Sequence, residues 1–392
     1  HHSTEEFTMT ATTRFEKPTA SDPALCIAFE LGEGRWKLTM AGDPAGPVVR
    51  RSIPARDTGR LLEAIGSGAR RLGLESKPVA SCYEAGRDGF WLHRFLTAHG
   101  IENLVVDSAS IEVNRRKRRA KSDRLDGEAL LDLLHRHRAG GRKRAWSVVR
   151  VPSVEEEDAR HLHRELATAK RDRTRVTNRM KGLLANQGIS FAGKRGAPRA
   201  WEALRTADGR GLPPGFRARL SRDQAQVDFL TTRIRELEAE RRRLFREGQS
   251  RGAEQARRLY TLRAIGANGA WLLGSEFFSW RRFRNGKQVG SLAGLTPTPH
   301  QSGDTDRERG VGKDGNRHVR GVAIELAWAW LRFQPQSALA QWYARRFGHG
   351  GPRLRKIGIV ALARKLLVAL WRYVERGVVP EGALLKTDLR LH

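Results

Sequence analysis

A chain of 392 residues is long enough for two or three domains with cores of their own. Its 73 Lys and Arg against 43 Asp and Glu leave a net charge of +30. That excess excludes a balanced, ion-paired surface and points to nucleic acid as the partner, ahead of an anionic membrane surface. No stretch approaches the roughly 20 apolar residues that span a bilayer, and no signal peptide is evident, so a cytoplasmic protein is expected.

His1, His2 and Ser3 read as a tag remnant ahead of Met9, and residues 1–22 are polar and expected to be disordered. Ala24 to Leu31 (ALCIAFEL) is an apolar run, followed by a Gly32–Gly34 turn, an alternating segment from Arg35 to Met40, and a third strand over Pro47 to Ile53. Leu61, Leu62, Ile65 and Leu72 give Thr58 to Leu72 helical spacing. Strands are predicted over Pro78 to Tyr83 and Asn103 to Asp107, and helices over Asp88 to His99 and Ser122 to His137. The order βββαβαβα, opening on a three-strand meander, narrows a general α/β reading to an RNase H-like (RuvC-like) domain over 23–150.

Residues 151–262 form a charged helical region, with long helices expected over 153–186 and 220–262. Leu162, Leu166, Val176, Met180 and Leu184 recur at helical spacing, as do Phe229, Ile234 and Leu237. This reads as an antiparallel pair or a dimerising coiled coil, interrupted by a Gly/Pro-rich loop over 188–215. A mainly helical domain follows over 263–380, with a tail over 381–392. Gly266 and Gly269 resemble a helix-hairpin-helix turn or a plain helix-capping turn. Val289 to Leu295, a Pro/Ser/Gly loop to Gly315, and helices over Asn316 to Phe333 and Ile357 to Arg376 complete it. Trp328, Trp330 and Trp371 are expected in its core. Cys26 and Cys82 allow one disulfide at most, fit a reducing compartment, and are expected to be buried rather than ligands. No Cys/His spacing suggests structural zinc.

The acids are the chemical feature. Glu30 ends the first strand and Glu84 the fourth; in an RNase H-like sheet these strands are neighbours. Asp123 and Asp126, three apart, share one face of the next helix. Four converging carboxylates repel unless cations neutralise them, and hard oxygen ligands favour Mg²⁺ or Mn²⁺. Two such ions can clamp a phosphodiester. The bland alternative is that Asp123 caps its helix and the glutamates are surface acids. The run Arg115, Arg116, Lys117, Arg118, Arg119 and Lys121 lies just ahead of Asp123, and Arg87 lies near Glu84. Both can hold a nucleic-acid backbone over the acids.

The segments YEAGRDG (Tyr83 to Gly89), KSDRLDGEAL (Lys121 to Leu130), SLAGLTPTPHQSGDT (Ser291 to Thr305) and GKDGNRHVRG (Gly312 to Gly321) occur in this order. Together they resemble transposases of the insertion-sequence 110 family, the DEDD transposases, over nearly the whole chain. The resemblance implies an acidic quartet at Glu30, Glu84, Asp123 and Asp126, with glutamate at the first position where the family carries aspartate. It also implies a catalytic serine at Ser302, in the Ser-Gly pair. Finally, it implies a tetramer made of two dimers and a structured non-coding bridge RNA that pairs with target and donor DNA.

Beside the resemblance, Ser302 lies in a Gly/Pro-rich segment expected to be exposed, where Gly303 permits close approach of a backbone. A serine there can equally be a turn former. Ser275 and Ser291, its rivals, fall in helical contexts. Attack by a serine on phosphorus gives a phosphoserine link and releases a 3′-hydroxyl, so rejoining needs no ATP; no GxxxxGK[ST] loop is present. Arg307, Arg309, Lys313, Arg317 and Arg320 can stabilise the transition-state charge. The expected function is RNA-guided recombination of double-stranded donor and target DNA, associated with the nucleoid during action. The alternatives are a hydrolytic nuclease or Holliday-junction resolvase using the same acids, and a non-catalytic basic RNA-binding protein.

Overall fold

The computed structural model describes residues 23–107, 123–140, 146–190, 201–302, 305–311 and 315–387; the expected disorder of 1–22 and the basic run at 115–121 lie outside them. The chain divides into two compact units, residues 1–151 and 152–392.

The first unit is a mixed five-stranded sheet with helices on both faces. Strands β1 (Leu25–Leu31), β2 (Arg35–Ala41) and β3 (Val49–Pro54) form an antiparallel meander, and β4 (Val79–Glu84) and β5 (Glu102–Val106) add parallel to β1 in the order β3-β2-β1-β4-β5. Helix α1 (Thr58–Leu72) starts where the Asp57 carboxylate accepts from the Arg60 amide at 2.9 Å, and stops at Gly73, whose φ of 67° suits a residue without Cβ. Helix α2 (Trp91–Ala98) is shorter than the segment Asp88 to His99 suggests, because 85–90 are spent on turns after β4. Leu61, Ile65, Leu92 and Leu96 of these helices bury Ile27, Phe29, Leu38 and Tyr83 on one face of the sheet. Helix α3 (Asp123–Arg138) covers the other face, with Leu130, Leu131, Leu133 and Leu134 over Cys26, Ala28 and Cys82. The central strands are thus buried on both sides, which is why they read as unbroken apolar runs.

In the second unit, the helix expected over 153–186 is two. The short α4 (Val154–Asp158) is closed by a capping box between Ser153 and Glu156, and α5 (His161–Ala185) follows it. Helix α6 (Pro214–Glu247) starts earlier than expected, with Pro214 in its first turn, and a break at Gly248 separates it from α7 (Arg251–Tyr260). Helices α5 and α6 pair antiparallel within the chain. Their apolar seam sets Leu166, Val176, Met180 and Leu184 against Leu220, Val227, Ile234 and Leu237. Ion pairs Glu165–Arg233, Lys170–Glu238 and Arg179–Asp223 flank it. Phe229 is not in that seam; it is 64% exposed.

The rest of the unit is helical around one hairpin. Helix α8 (Ala267–Leu272) runs into a wide turn of π pitch, Leu273–Phe278, then α9 (Gly286–Leu292), strands β6 (Pro297–Ser302) and β7 (Thr305–Val311), and α10 (Arg317–Phe333), α11 (Ala338–Phe347) and α12 (Pro352–Arg376). Trp330 and Trp371 lie in the core with Phe277, Phe278, Leu362 and Leu366, but Trp328, on the outer side of α10, is 50% exposed. Gly269 is buried against Leu326, where a Cβ would lie 3.1 Å from that side chain, so it serves helix packing and not a helix-hairpin-helix turn. The final residues dock back: Leu385 bridges Leu262, and the Lys386 amide donates to the Thr261 carbonyl at 2.7 Å. Among the described residues no helix is long and apolar enough to cross a membrane.

Candidate active site

In the first unit the pairing of β1 with β4 is parallel and runs as far as Phe29 opposite Tyr83. Glu30 and Glu84 are the next residues on these neighbouring strands, so the sheet sets them side by side at its C-terminal edge. Strand alternation puts them on the same face as Ala28 and Cys82, the face that α3 covers.

Three contacts fix the direction of α3. Gly127 sits against Thr39, where a Cβ would lie 2.6 Å from Oγ1. Cys82 Sγ lies 3.9 Å from the Leu130 carbonyl. His135 shares a cavity with Pro23, Ala24 and Cys26 at the start of β1. Helix α3 therefore runs antiparallel to β1, and its first turn, from Asp123 to Asp126, starts at the edge that carries Glu30 and Glu84. The Asp123 and Asp126 side chains lie outside the described residues. Burial pushes the Cys26 thiol up to about 11 and the Cys82 thiol up as well, so both are inert packing groups and neither is a thiolate ligand.

Lys37, opposite Glu30 on β2, holds its ammonium 3.9 Å from Glu30 Oε2. The carboxylate already has a cation beside it, and two glutamate oxygens on adjacent strands are hard donors that suit Mg²⁺ or Mn²⁺. Arg87 pairs at 3.2 Å with Glu33 on the β1–β2 turn. Among the described residues no group of three or more His, Cys, Asp or Glu is placed to hold a metal ion.

In the second unit, the segment expected as a loop up to Gly315 is a hairpin. β6 and β7 pair antiparallel, and Ser302 opposite Thr305 is the end pair of their register. Ser302 is thus at the tip of a two-stranded arm, and hydrogen bonding between the strands replaces the irregular loop that its Pro and Gly content suggests. Arg307 is opposite His300 and Arg309 opposite Thr298; the side chains of both strands, and Lys313 entirely, lie outside the described residues. Of the rivals, Ser275 is buried and donates to the Trp271 carbonyl at 2.7 Å, and Ser291 is on α9.

The return from the arm is tightly held. Gly315 has φ of +88°, and a Cβ there would lie 2.5 Å from the Gly294 amide nitrogen. The Asn316 amide donates to Leu292 O at 2.9 Å. The Asn316 side-chain oxygen caps α10 by accepting from the His318 and Val319 amides at 3.0 and 3.2 Å. Arg317 and Arg320 follow in a first turn that has no acid.

Sequence reasoning missed what anchors this cap. Glu276, in the π turn, is 1% exposed. It accepts from Asn316 Nδ2 at 2.9 Å and from Arg164 Nε and Nη2 at 3.1 and 2.5 Å, and His163 Nε2 lies 3.0 Å away. Burial would raise its carboxyl; the hydrogen bonds from His163 and Arg164 and the nearby guanidinium outweigh that and hold it down at about 2. A carboxylate so saturated and so acidic cannot serve as a base. It ties α5, the π turn and the start of α10 into one joint, and π turns recur at functional places in helices. The available signal was an acid inside the apolar run LLGSEFF.

Comparison with known proteins agrees in kind. A family model described as "Transposase IS116/IS110/IS902 family" matches residues 256–342. "Putative transposase y4rJ" of Sinorhizobium fredii is 40% identical over 97% of this chain and all of its own length. The transposase for insertion sequence element IS1328 of Yersinia enterocolitica is 27% identical over 66% of this chain and 73% of its own. That for IS1111A of Coxiella burnetii is 26% identical over 54% and 55%.

Proposed function

Because the chain belongs to the IS116/IS110/IS902 transposase family, whose work is moving DNA, we propose that it cuts and rejoins donor and target DNA with Ser302 as nucleophile and an acidic site at Glu30, Glu84, Asp123 and Asp126. The observation that carries the acidic half is the register of β1 and β4, which sets Glu30 beside Glu84 at the edge where α3 begins. The strand order β3-β2-β1-β4-β5 supports the RNase H-like reading of that unit. For the serine, the support is its position at the tip of the β6–β7 arm, with Arg317 and Arg320 on the helix to which the arm returns.

The chemistry follows from these groups. The Ser302 hydroxyl attacks a backbone phosphorus and loses its proton; a bond from phosphorus to serine oxygen forms as the bond to the 3′-oxygen breaks. The leaving oxygen takes up a proton and departs as a 3′-hydroxyl. Attack by another 3′-hydroxyl on the phosphoserine reverses the step, so bond energy is conserved. Arginines of the arm and of α10 offset the charge that grows on the phosphoryl oxygens. Mg²⁺ or Mn²⁺, when bound, supplies Lewis-acid stabilisation of phosphate charge. Glu30, Glu84, Asp123 and Asp126 would hold it and so orient the DNA beside it.

The same reading includes a structured RNA as guide and assembly of dimers into a tetramer. The net charge of +30 supports polyanionic partners, with which a structured RNA is compatible. The deciding experiment incubates labelled donor and target DNA with the protein, its co-purified RNA and magnesium, then denatures. A protein-linked DNA band that disappears in Ser302→Ala, with DNA binding intact, is the expected result. Free ends without a protein link would overturn the serine reading in favour of hydrolysis, as in a junction resolvase. Products that form without the co-purified RNA would overturn the guided reading alone.

A further inference from the structure

Between Glu325 and Glu375 the sequence has no acidic residue. This stretch builds the end of α10, all of α11 and nearly all of α12. Five of its nine Lys and Arg gather at one corner. Arg345 and Arg346 close α11, and Arg353, Arg355 and Lys356 open α12; all five are exposed.

The turn between the helices holds the two groups together. Phe347 packs on Gly358, where a Cβ would lie 2.5 Å from its ring. The Tyr343 hydroxyl donates to the Arg355 carbonyl at 3.3 Å, and Arg355 Nε donates to the Gly350 carbonyl at 2.9 Å. The start of α12 stands clear of the core: residues 351–357 are exposed and burial begins at Gly358.

This arrangement is electrostatically costly by itself. The N-terminus of a helix is its positive end, and α12 opens there with three cations, no acid and no side-chain cap. The α5–α6 pair is the contrast, since its cations Arg233, Lys170 and Arg179 are matched with Glu165, Glu238 and Asp223. At the corner the two helices supply no such partner, and no ion pair holds these five cations among the described residues; Glu375, at the far end of α12, is held by Arg251 at 2.8 Å.

We propose that the α11–α12 corner is a nucleic-acid site, taking the phosphodiester backbone between Arg345 and Arg346 on one side and Arg353 and Lys356 on the other. Gly351 has open space where a side chain would stand, so a backbone can come close there, whereas Leu354 already packs on Gly350. Exposed Leu354 and Ile357 offer apolar contact to sugars. The site reads charge and not base sequence. It goes beyond the reading of Ser302 and the acids and stands if either of those fails, because Ser302→Ala leaves it intact.

The test substitutes Arg345, Arg346, Arg353 and Lys356 together with Ala in the full chain. Binding of a random DNA duplex and of an RNA hairpin is measured across a salt series. Each lost phosphate contact lowers the salt slope on duplex DNA by about 0.9, so a drop of roughly 2–4 is expected on whichever nucleic acid occupies the corner, and the two arms tell DNA from RNA. The swap Arg345→Lys, Arg346→Lys, Arg353→Lys and Lys356→Arg should bind as the parent does. A matched control removes Arg60, Arg70, Arg71 and Lys77, which are exposed in the first unit. The proposal fails if the control loses as much, if neither nucleic acid is affected, or if the corner variant loses binding to phosphatidylserine vesicles and not to nucleic acid.

Discussion

Glu276 and Asn316 meet at 2.9 Å inside the second unit, the one in a π turn, the other at the cap of α10. One Asn316 side chain thus serves two purposes: its amide nitrogen binds the buried carboxylate, and its oxygen starts the helix that follows the serine hairpin.

The joint has an acid limit. Glu276 is held at about 2 in the folded chain, below its ordinary value of 4.5. Its folded value is depressed, so its contribution is full above pH 4.5 and is lost as pH falls towards 2. The shift corresponds to about 3 kcal/mol at most. Glu276→Gln should therefore lower stability by roughly 1–3 kcal/mol at neutral pH and flatten the fall in stability between these two values. Urea melts at pH 7, 4 and 3 decide this; an unchanged acid limb in the variant would refute it.

Gly315 and Gly321 predict opposite signs. Gly315→Ala puts a side chain at φ of +88° and a Cβ 2.5 Å from a backbone nitrogen, so a loss of at least about 1–2 kcal/mol is expected. Adduct formation should drop further than stability explains, because this residue returns the serine arm to α10. Gly321→Ala, inside α10 with open space around it, should gain up to about 1 kcal/mol. Melts of the two variants side by side, with adduct yield at a temperature where both are folded, check the pair.

How far the sequence is legible depends on the range of the interaction. The meander, the parallel strands and α3 follow from apolar runs and alternation, which are local. Convergence of Glu30 with Glu84 follows once β1 and β4 are neighbours, since register then does the rest. The Pro- and Gly-containing segment 297–311 gave no alternation, because its pairing is supplied by the partner strand; it therefore reads as a loop. Phe229 and Trp328 have core-like side chains at helical spacing but face outward, and the period does not say which side of a helix finds a neighbour. The Glu276 joint draws on residues more than a hundred positions apart, His163 and Arg164 among them, and no window of sequence contains it.

Lys37 offers a test of the proposed divalent-ion site at the acidic edge. Its ammonium, 3.9 Å from Glu30, competes for the same carboxylate. Lys37→Ala should tighten Mn²⁺ binding several-fold, and Glu30→Gln or Glu84→Gln should weaken it at least tenfold without changing DNA binding in metal-free buffer. Calorimetric titration with Mn²⁺ reads all three. Equal affinities across the set would separate these glutamates from any metal site.

Gly127 tests whether the first turn of α3 must lie close to the sheet. Alanine at a helix-interior glycine ordinarily gains up to about 1 kcal/mol. Here the added Cβ would fall 2.6 Å from Thr39 Oγ1, so α3 must move away from β2 or Thr39 must rotate. Overpacking of this kind costs roughly 1–3 kcal/mol, and Gly127 is one position past Asp126, so the displacement is felt at the aspartates of the proposed acidic site. Gly127→Ala should lower both stability and Mn²⁺ affinity. Thr39→Ala in the same chain removes the clashing group, and the double variant should recover most of both losses. Recovery of stability without recovery of metal affinity would mean that the spacing of α3 from the sheet does not set the acidic site.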